Sequence, residues 1–144
     1  MKAEIKLQTD VIKGNRMYYK QYEEMILISE GHYGVYLKPN ELKIDKSKMI
    51  EFGDKTDTLD PKKLEECRTK AKITNTAIKT HSGFAIKIKS LENDEYCFVD
   101  EKFLKQFPGH TNVLIKSRKE PILILKYGLP YGIILPMNIT TELE

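Results

Sequence analysis

The chain has 144 residues, of which 40% are hydrophobic and 31% are charged, and its 24 basic and 21 acidic residues leave a net charge of +3. That length suits one domain with its own core, and so small a charge excess does not by itself establish a nucleic-acid partner. No apolar run approaches a membrane span, and the start "MKAEIKLQTD" lacks the apolar stretch of a secretory signal. We therefore expect a cytoplasmic protein, with Cys67 and Cys97 as free thiols.

Residues 1–50 have the composition of β-strands. The stretch "RMYYKQYEEMILISE" is rich in aromatic and branched residues, and "GHYGVYLKP" follows after a turn at Gly31. Three or four strands are predicted here. Tyrosines alternating with basic residues can form a stacking platform for single-stranded nucleic acid, although half-buried strand residues give the same pattern more often. The tyrosines concerned are Tyr18, Tyr19, Tyr22, Tyr33 and Tyr36.

A helix is predicted to begin after Asp60, which can cap its first turn. Pro61 would occupy the first helical position, where its missing N–H has no consequence. Leu64, Cys67 and Ala71 recur at i, i+3 and i+7 and would form the buried stripe of this helix. Its exposed side would be mainly basic, despite Glu65 and Glu66. The basic residues are Lys62, Lys63, Arg68, Lys70 and Lys72.

The rest of the chain is predicted to alternate between groups of strands and one further helix. Strands are expected over "NTAIKTH", "FAIKIKS" and "EYCFVD", and later over "NVLIKSR", "PILILKY" and "YGIILPM". Between the two groups, "DEKFLKQF" predicts a short helix that ends at Pro108-Gly109. Its inward residues would be Phe103, Leu104 and Phe107, and its exposed lysines Lys102 and Lys105.

The order helix, strand, strand, strand thus occurs twice, and a shift of 37 residues aligns the two copies without a gap. We predict an α+β fold of duplicated β-α-β-β-β units over residues 51–97 and 98–140, with extra N-terminal β-strands in 1–50. Two such units would make one sheet with both helices on one face, which would expose their basic residues on a common surface. The aligned pairs include Ile78 with Ile115, Ile86 with Leu123, Ile88 with Leu125 and Lys89 with Lys126.

The stretches "CFVDEKFLKQFPG" and "VLIKSRKEPILILKYGLPYGIILPMNI" resemble the second half of the last domain of bacterial β-type DNA polymerase sliding clamps. The resemblance is good over residues 94–139 and weaker over 51–93. It implies a clamp-like domain whose basic helices face DNA phosphates, here Lys62, Lys63, Arg68, Lys70, Lys72, Lys102 and Lys105. It also implies a hydrophobic cleft for short motifs of replication proteins, lined in part by Leu135, Pro136 and Met137.

Two features depart from the clamp pattern. Asn138 stands where the family has a basic residue, and the chain has room for one clamp-like domain, whereas clamp subunits carry two or three. A ring would therefore require a homo-oligomer. A small clamp-related protein of a phage or mobile element would fit this size.

The expected function is that of a non-enzymatic, DNA-associated processivity or tethering factor. Its expected partners are double-stranded DNA and replication proteins carrying clamp-binding peptides. No catalytic motif occurs, and His32, His81 and His110 have no metal-ligand spacing, so we predict no metal, no cofactor and no membrane partner. The alternatives are a protein-interaction module of the same fold without a DNA role, or a β-rich domain binding single-stranded nucleic acid through the tyrosine strands.

Overall fold

The N-terminal third of the chain forms a helix followed by four short strands. The computed structural model describes residues 3–53, 59–107 and 111–139. The elements of this third are α1 (Ala3–Ile12), β1 (Tyr18–Gln21), β2 (Ile26–Ser29), β3 (Tyr33–Leu37) and β4 (Ile50–Glu51). Two 3-10 turns, Pro39–Glu41 and Lys46–Lys48, lie between β3 and β4.

The remaining chain contributes two helices and six strands. These elements are α2 (Pro61–Glu66), β5 (Thr69–Thr80), β6 (Gly83–Ser90), β7 (Tyr96–Asp100), α3 (Glu101–Leu104), β8 (Thr111–Ile115), β9 (Ile122–Lys126) and β10 (Leu129–Ile134). All ten strands belong to one sheet of order β4-β1-β2-β3-β10-β9-β8-β5-β6-β7. Neighbouring strands are antiparallel except for β1 and β4, so the fold is a mixed α and β structure dominated by an antiparallel sheet.

The segment after β10 returns to the far edge of this sheet. The Met137 N–H donates to the carbonyl oxygen of Phe98 at 2.7 Å, and the two residues form an antiparallel bridge. β7 is the last strand of the sheet, whereas β10 lies near its middle. The bridge therefore links the two ends of the series β10-β9-β8-β5-β6-β7, so that these six strands form a closed arrangement.

Each face of the sheet carries a buried apolar cluster. In β9, Ile122 and Ile124 belong to one buried cluster and Leu123 and Leu125 to another, as the two-residue alternation of a strand requires. We call the side of Ile122 and Ile124 the inner face and the side of Leu123 and Leu125 the outer face. Helices α1 and α3 pack on the inner face, and α2 packs on the outer face through Leu64.

The predicted strands are confirmed, but helix α1 was missed by the sequence analysis. Ala3, Ile5 and Leu7 alternate as in a strand, whereas Ala3, Leu7 and Val11 recur with helical spacing. Burial selects the second pattern, since Ala3 and Leu7 are fully buried and Ile5 is 52% exposed. Residues 1–50 are therefore not β-strands throughout.

The first predicted helix starts as expected but ends early. The Asp60 side chain accepts a hydrogen bond from the Lys62 N–H, and Pro61 is the first helical residue. The helix stops at Glu66, so Arg68 lies between elements, and the predicted helical stripe through Cys67 and Ala71 does not form. Lys70 and Lys72 lie on strand β5, where the branched residues of "TKAKITNT" favour extended backbone.

The second predicted helix is confirmed as the single turn α3, and its packing is as expected. Phe107 is buried, and Phe103 and Leu104 pack against the inner cluster. The predicted stop at Pro108-Gly109 lies outside the described residues. Within the described ranges, the helices are all too short and too polar to cross a membrane.

The duplicated clamp-like unit is not confirmed. The order helix then three strands does occur twice, as α2-β5-β6-β7 and α3-β8-β9-β10. However, the two helices lie on opposite faces of the sheet, and so do residues paired by the 37-residue shift. Ile88 belongs to the inner cluster, and its predicted counterpart Leu125 to the outer one. Shared strand periodicity explains the alignment without a duplication.

The two cysteines differ sharply in access to solvent. Cys97 is fully buried on β7, where desolvation raises the pKa of its thiol to about 12, whereas Cys67 is exposed. A raised pKa keeps the Cys97 thiol protonated at about pH 8, and the thiolate is the reactive form. We expect a disulfide-exchange reagent to label one thiol in the native protein and both in denaturant. Two fast-reacting native thiols would contradict the burial of Cys97.

Candidate nucleic-acid interface

The β5–β6 hairpin carries a strong excess of positive charge, whereas the charges of the whole chain are nearly balanced. Residues 67–91 contain six basic residues and no acidic residue, although the net charge of the protein is only +3. Most of this segment is strand, so the charges stand at fixed spacings along two adjacent strands. The six residues are Arg68, Lys70, Lys72, Lys79, Lys87 and Lys89.

Strand register places several of these lysines together on the outer face. Lys72 lies directly opposite Lys89, and the neighbouring residues Ala71 and Ile88 point to the inner face. Lys87 follows on the same side of β6, two residues from Lys89. Directly opposed like charges destabilise a sheet, so an anion between them would be a favourable addition. The Lys89 ammonium donates to the carbonyl oxygen of Asn93 at 2.5 Å.

An aromatic ring borders this row of lysines. Tyr96 lies opposite Lys89 on β7, and the Lys87 Nζ atom stands 4.5 Å from the centroid of its ring. The Arg118 guanidinium carbon lies 5.6 Å from the same centroid, and its Nη1 donates to the tyrosine hydroxyl at 3.4 Å. The ring quadrupole attracts both cations, so Tyr96 holds two positive side chains together at the surface.

The predicted basic helix residues are divided between the two faces. Lys62 and Lys63 are exposed on α2, on the outer face with the strand lysines, and Lys62 forms a 3.6 Å ion pair with Glu23. Lys102 and Lys105 belong to the α3 turn on the inner face. Lys102 forms an ion pair with Asp100 at 3.7 Å, and Lys105 forms one with Glu101 at 3.4 Å. The common helical surface expected from the sequence therefore does not exist.

Arg68 is held by hydrogen bonds to the backbone and is not a free surface cation. Its Nε donates to the carbonyl oxygen of Pro121 at 2.8 Å, and its Nη1 donates to that of Leu64 at 3.3 Å. Partial burial lowers the pKa of this guanidinium, which nevertheless stays charged at neutral pH. Arg68 thus joins the end of α2 to the start of β9.

The predicted peptide segment lies beside the cationic row. Phe98 points outward because its neighbours Cys97 and Val99 belong to the inner cluster, and bridged Met137 shares its side. Leu135 is 41% exposed and Pro136 is partly exposed. Whether residues 135–137 receive a peptide stays a prediction.

The tyrosines of the alternative hypothesis are divided between the two faces, and their binding of single-stranded nucleic acid stays a prediction. Tyr33 and Tyr36 are buried, the first in the inner cluster and the second in the outer one. The Tyr36 hydroxyl donates to the carbonyl oxygen of Leu59 at 2.6 Å, and Tyr18 stacks on Phe52. These rings are parts of the packing on two different faces.

Sequence reasoning missed several members of the cationic row. Lys87 and Lys89 were noted only as strand residues, and Tyr96 and Arg118 carried no expectation. One signal was available, because the absence of acidic residues from 67 to 91 is visible in the sequence. The proximity of Arg118 to Tyr96 could not be anticipated, since it depends on sheet topology.

Comparison with known proteins yields no relative. The chain matches no family model, no curated protein and no solved structure.

Proposed function

We propose that the protein is a non-enzymatic, DNA-associated factor that contacts the phosphate backbone through the outer face of β5, β6 and β7. The observation that carries this proposal is the row of outward lysines, with Lys72 directly opposite Lys89 in a segment free of acidic residues. Lys70 lies on the same face, since it pairs with Leu114 of the outer cluster. Counterion release from DNA gives such a surface its affinity.

The chemistry of the surface favours backbone contact over base recognition. Lysine ammonium groups act as point charges that neutralise phosphates without reading sequence. Tyr96 already carries Lys87 and Arg118 beside its ring, so it supports the cations rather than offering an open stacking face. Binding should therefore depend little on sequence and strongly on salt.

The test compares two double variants that remove the same charge from opposite faces. Lys72→Ala with Lys87→Ala is expected to weaken binding of a short DNA duplex about tenfold at low salt. It should also flatten the slope of log affinity against log salt by about 1.8, which is the contribution of two phosphate contacts. Lys102→Ala with Lys105→Ala on the inner face should change neither quantity. Fluorescence anisotropy at several salt concentrations measures both.

Equal losses in the two variants would show that net charge alone drives binding and would contradict a defined interface. Salt-independent binding by the unmodified protein would remove the DNA proposal altogether. Substituting a random-sequence duplex should leave the affinity within about threefold if phosphates are the ligand.

The other parts of the expected function remain proposals. A clamp-like tethering factor needs a protein-binding site besides a DNA surface, and the exposed Leu135 next to outward-facing Met137 supports that role for residues 135–137. Ring formation would require self-assembly of the chain. Neither proposal depends on the abandoned helix surface.

A further inference from the structure

The inner face holds a polar cavity of about 330 Å³ between helix α1, the turn from β2 to β3 and the α3 turn. Helix α1 contributes Lys6 and Asp10, which lie one helical turn apart. The other residues that line the cavity are Glu30, Tyr33, Lys102, Phe103 and Gln106. Buried polar groups need hydrogen-bond partners, so a cavity with this lining suits a polar occupant.

Two buried polar atoms of these lining residues have no partner. Tyr33 is only 2% exposed, and its hydroxyl forms no hydrogen bond with any described residue. The Oε1 atom of Gln106 is likewise buried and unpaired within the described chain, while its Nε2 donates to the carbonyl oxygen of Lys102 at 3.4 Å. Unpaired buried groups lower stability. A ligand that donates to the Gln106 oxygen and bonds the Tyr33 hydroxyl would remove that cost.

The Tyr33 side chain is fixed by its neighbours and cannot turn away to reach solvent. Its ring stacks on Phe103 with a centroid distance of 5.1 Å and meets the edge of Phe107 at 6.2 Å. Its backbone N–H donates to Glu30 Oε1 at 2.9 Å, and its carbonyl oxygen accepts from the Ser29 hydroxyl at 2.8 Å. The hydroxyl is therefore preorganised for a partner, which reduces the entropy lost on binding.

The carboxylates around this cavity are more buried than its ammonium groups. The side chains of Asp10 and Glu30 are 18% and 26% exposed, whereas those of Lys6 and Lys102 are 40% and 57% exposed. Each lysine already has an acidic partner, since Lys6 Nζ lies 3.2 Å from Asp10 and Lys102 Nζ lies 3.7 Å from Asp100. The buried part of the lining is thus rich in acceptors, and the cations lie towards solvent.

The electrostatic potential at the Tyr33 hydroxyl is negative. Burial, Glu30 and Asp10 together raise the pKa of this hydroxyl to about 12, so it stays protonated at neutral pH. A negative potential favours a cation over an anion or a neutral molecule. The acceptors surround a volume much larger than a bare metal ion, so a cation with a carbon chain fills it better. A primary ammonium group carries three N–H donors for these acceptors.

We propose that this cavity binds a small organic molecule through a primary ammonium group, which donates to Gln106 Oε1, the Asp10 carboxylate and the Tyr33 hydroxyl oxygen. Its carbon chain would lie beside the Phe103 ring. The site is on the inner face and is separate from the lysine row proposed to contact DNA. Its existence does not depend on DNA binding.

The experiment titrates the full chain with propylammonium chloride and follows the amide resonances by NMR. Parallel titrations use propan-1-ol, which has a similar size without the charge, and potassium chloride at the same ionic strength. We expect propylammonium to shift the resonances of residues 6–10, 30–33 and 102–106. Propan-1-ol should bind at least about tenfold more weakly, because hydrogen bonds from a charged donor are stronger.

Tyr33→Phe keeps the ring and removes the unpaired hydroxyl. It should weaken propylammonium binding about tenfold, yet leave the unfolding midpoint of the free protein unchanged or higher. Its matched control is Tyr131→Phe, which removes a hydroxyl that already donates to the Glu4 carboxylate. That variant should lower the midpoint and leave the affinity unchanged. Asp10→Asn should also weaken binding, whereas Asp94→Asn, at an exposed turn, should not.

Any of three results would overturn the proposal. Equal affinity for propan-1-ol would show that charge is not recognised. The same shifts with potassium chloride, or none at these residues with propylammonium, would mean that the cavity holds only solvent and its ions. Unchanged propylammonium affinity in both Tyr33→Phe and Asp10→Asn would exclude the proposed ligands. Thermal unfolding of each variant separates a lost ligand from a lost fold.

Discussion

Gly132→Ala is expected to destabilise the protein by about 3 kcal/mol, a large effect for the addition of one methyl group. Gly132 lies in the middle of β10, between β3 and β9. A Cβ atom at this position would stand 2.3 Å from Cε1 of Phe107 and 2.8 Å from the carbonyl oxygen of Gly34. Both distances are well inside van der Waals contact, so the surroundings would have to move.

Neither neighbour of Gly132 can move freely. The Phe107 ring packs edge to face against Tyr131 and Tyr33, with centroid distances of 5.5 and 6.2 Å. Gly34 lies in β3, which pairs with β2 on one side and β10 on the other. Displacing the ring disturbs the inner cluster, and displacing the carbonyl breaks strand pairing. Well-packed interiors have no free volume to absorb either change.

Chemical denaturation of Gly132→Ala measures the effect, with Gly53→Ala as its matched control. A Cβ at Gly53 would meet no atom of the described residues within 4 Å, so that variant should differ little from the parent. Adding Phe107→Leu to Gly132→Ala should cost less than the sum of the two single changes, because the smaller side chain leaves room for the methyl group. Unchanged stability of Gly132→Ala would contradict the close approach of β10 to Phe107.

Most of the fold could be predicted from local sequence patterns. The errors in that prediction have a common cause. The strands of the second half follow the two-residue alternation of residues such as Ile122 and Leu123, and Asp60-Pro61 marks the start of α2. The ends of helices were less accessible. Leu64, Cys67 and Ala71 fit a helix by spacing, yet Ala71 gains more by pairing with Val113 and Ser90 in the sheet. Tertiary pairing overrode local periodicity there.

The candidate site was less predictable than the fold because it depends on which face of the sheet each lysine occupies, and composition does not show this. Lys102 and Lys62 are both exposed helix lysines in sequence terms, but α3 and α2 pack on opposite sides of the sheet. Strand alternation assigns Lys72 and Lys89 to one side once the register is known. A sequence alone supplies neither the register nor the order in which strands join.

Arg68→Ala is expected to lower the free energy of unfolding by about 2 kcal/mol without changing the salt dependence of DNA binding. The substitution leaves the partly buried carbonyl oxygens of Leu64 and Pro121 without their charged donor. It also removes a positive charge from the C-terminal end of α2, where cations are favourable. Because α2 has only six residues, its position depends strongly on such contacts outside the helix.

Arg68→Lys separates the geometry of this side chain from its charge. Lysine keeps the positive charge but lacks the planar fork that reaches both carbonyl oxygens, so we expect it to recover only part of the lost stability. Lys72→Ala serves as the opposite control. It should leave stability unchanged or slightly higher, because it removes a like-charge pair, and it should flatten the salt slope of DNA binding. If Arg68→Ala flattens that slope by about 0.9 while the unfolding midpoint stays constant, then Arg68 contacts phosphate and its structural assignment is wrong.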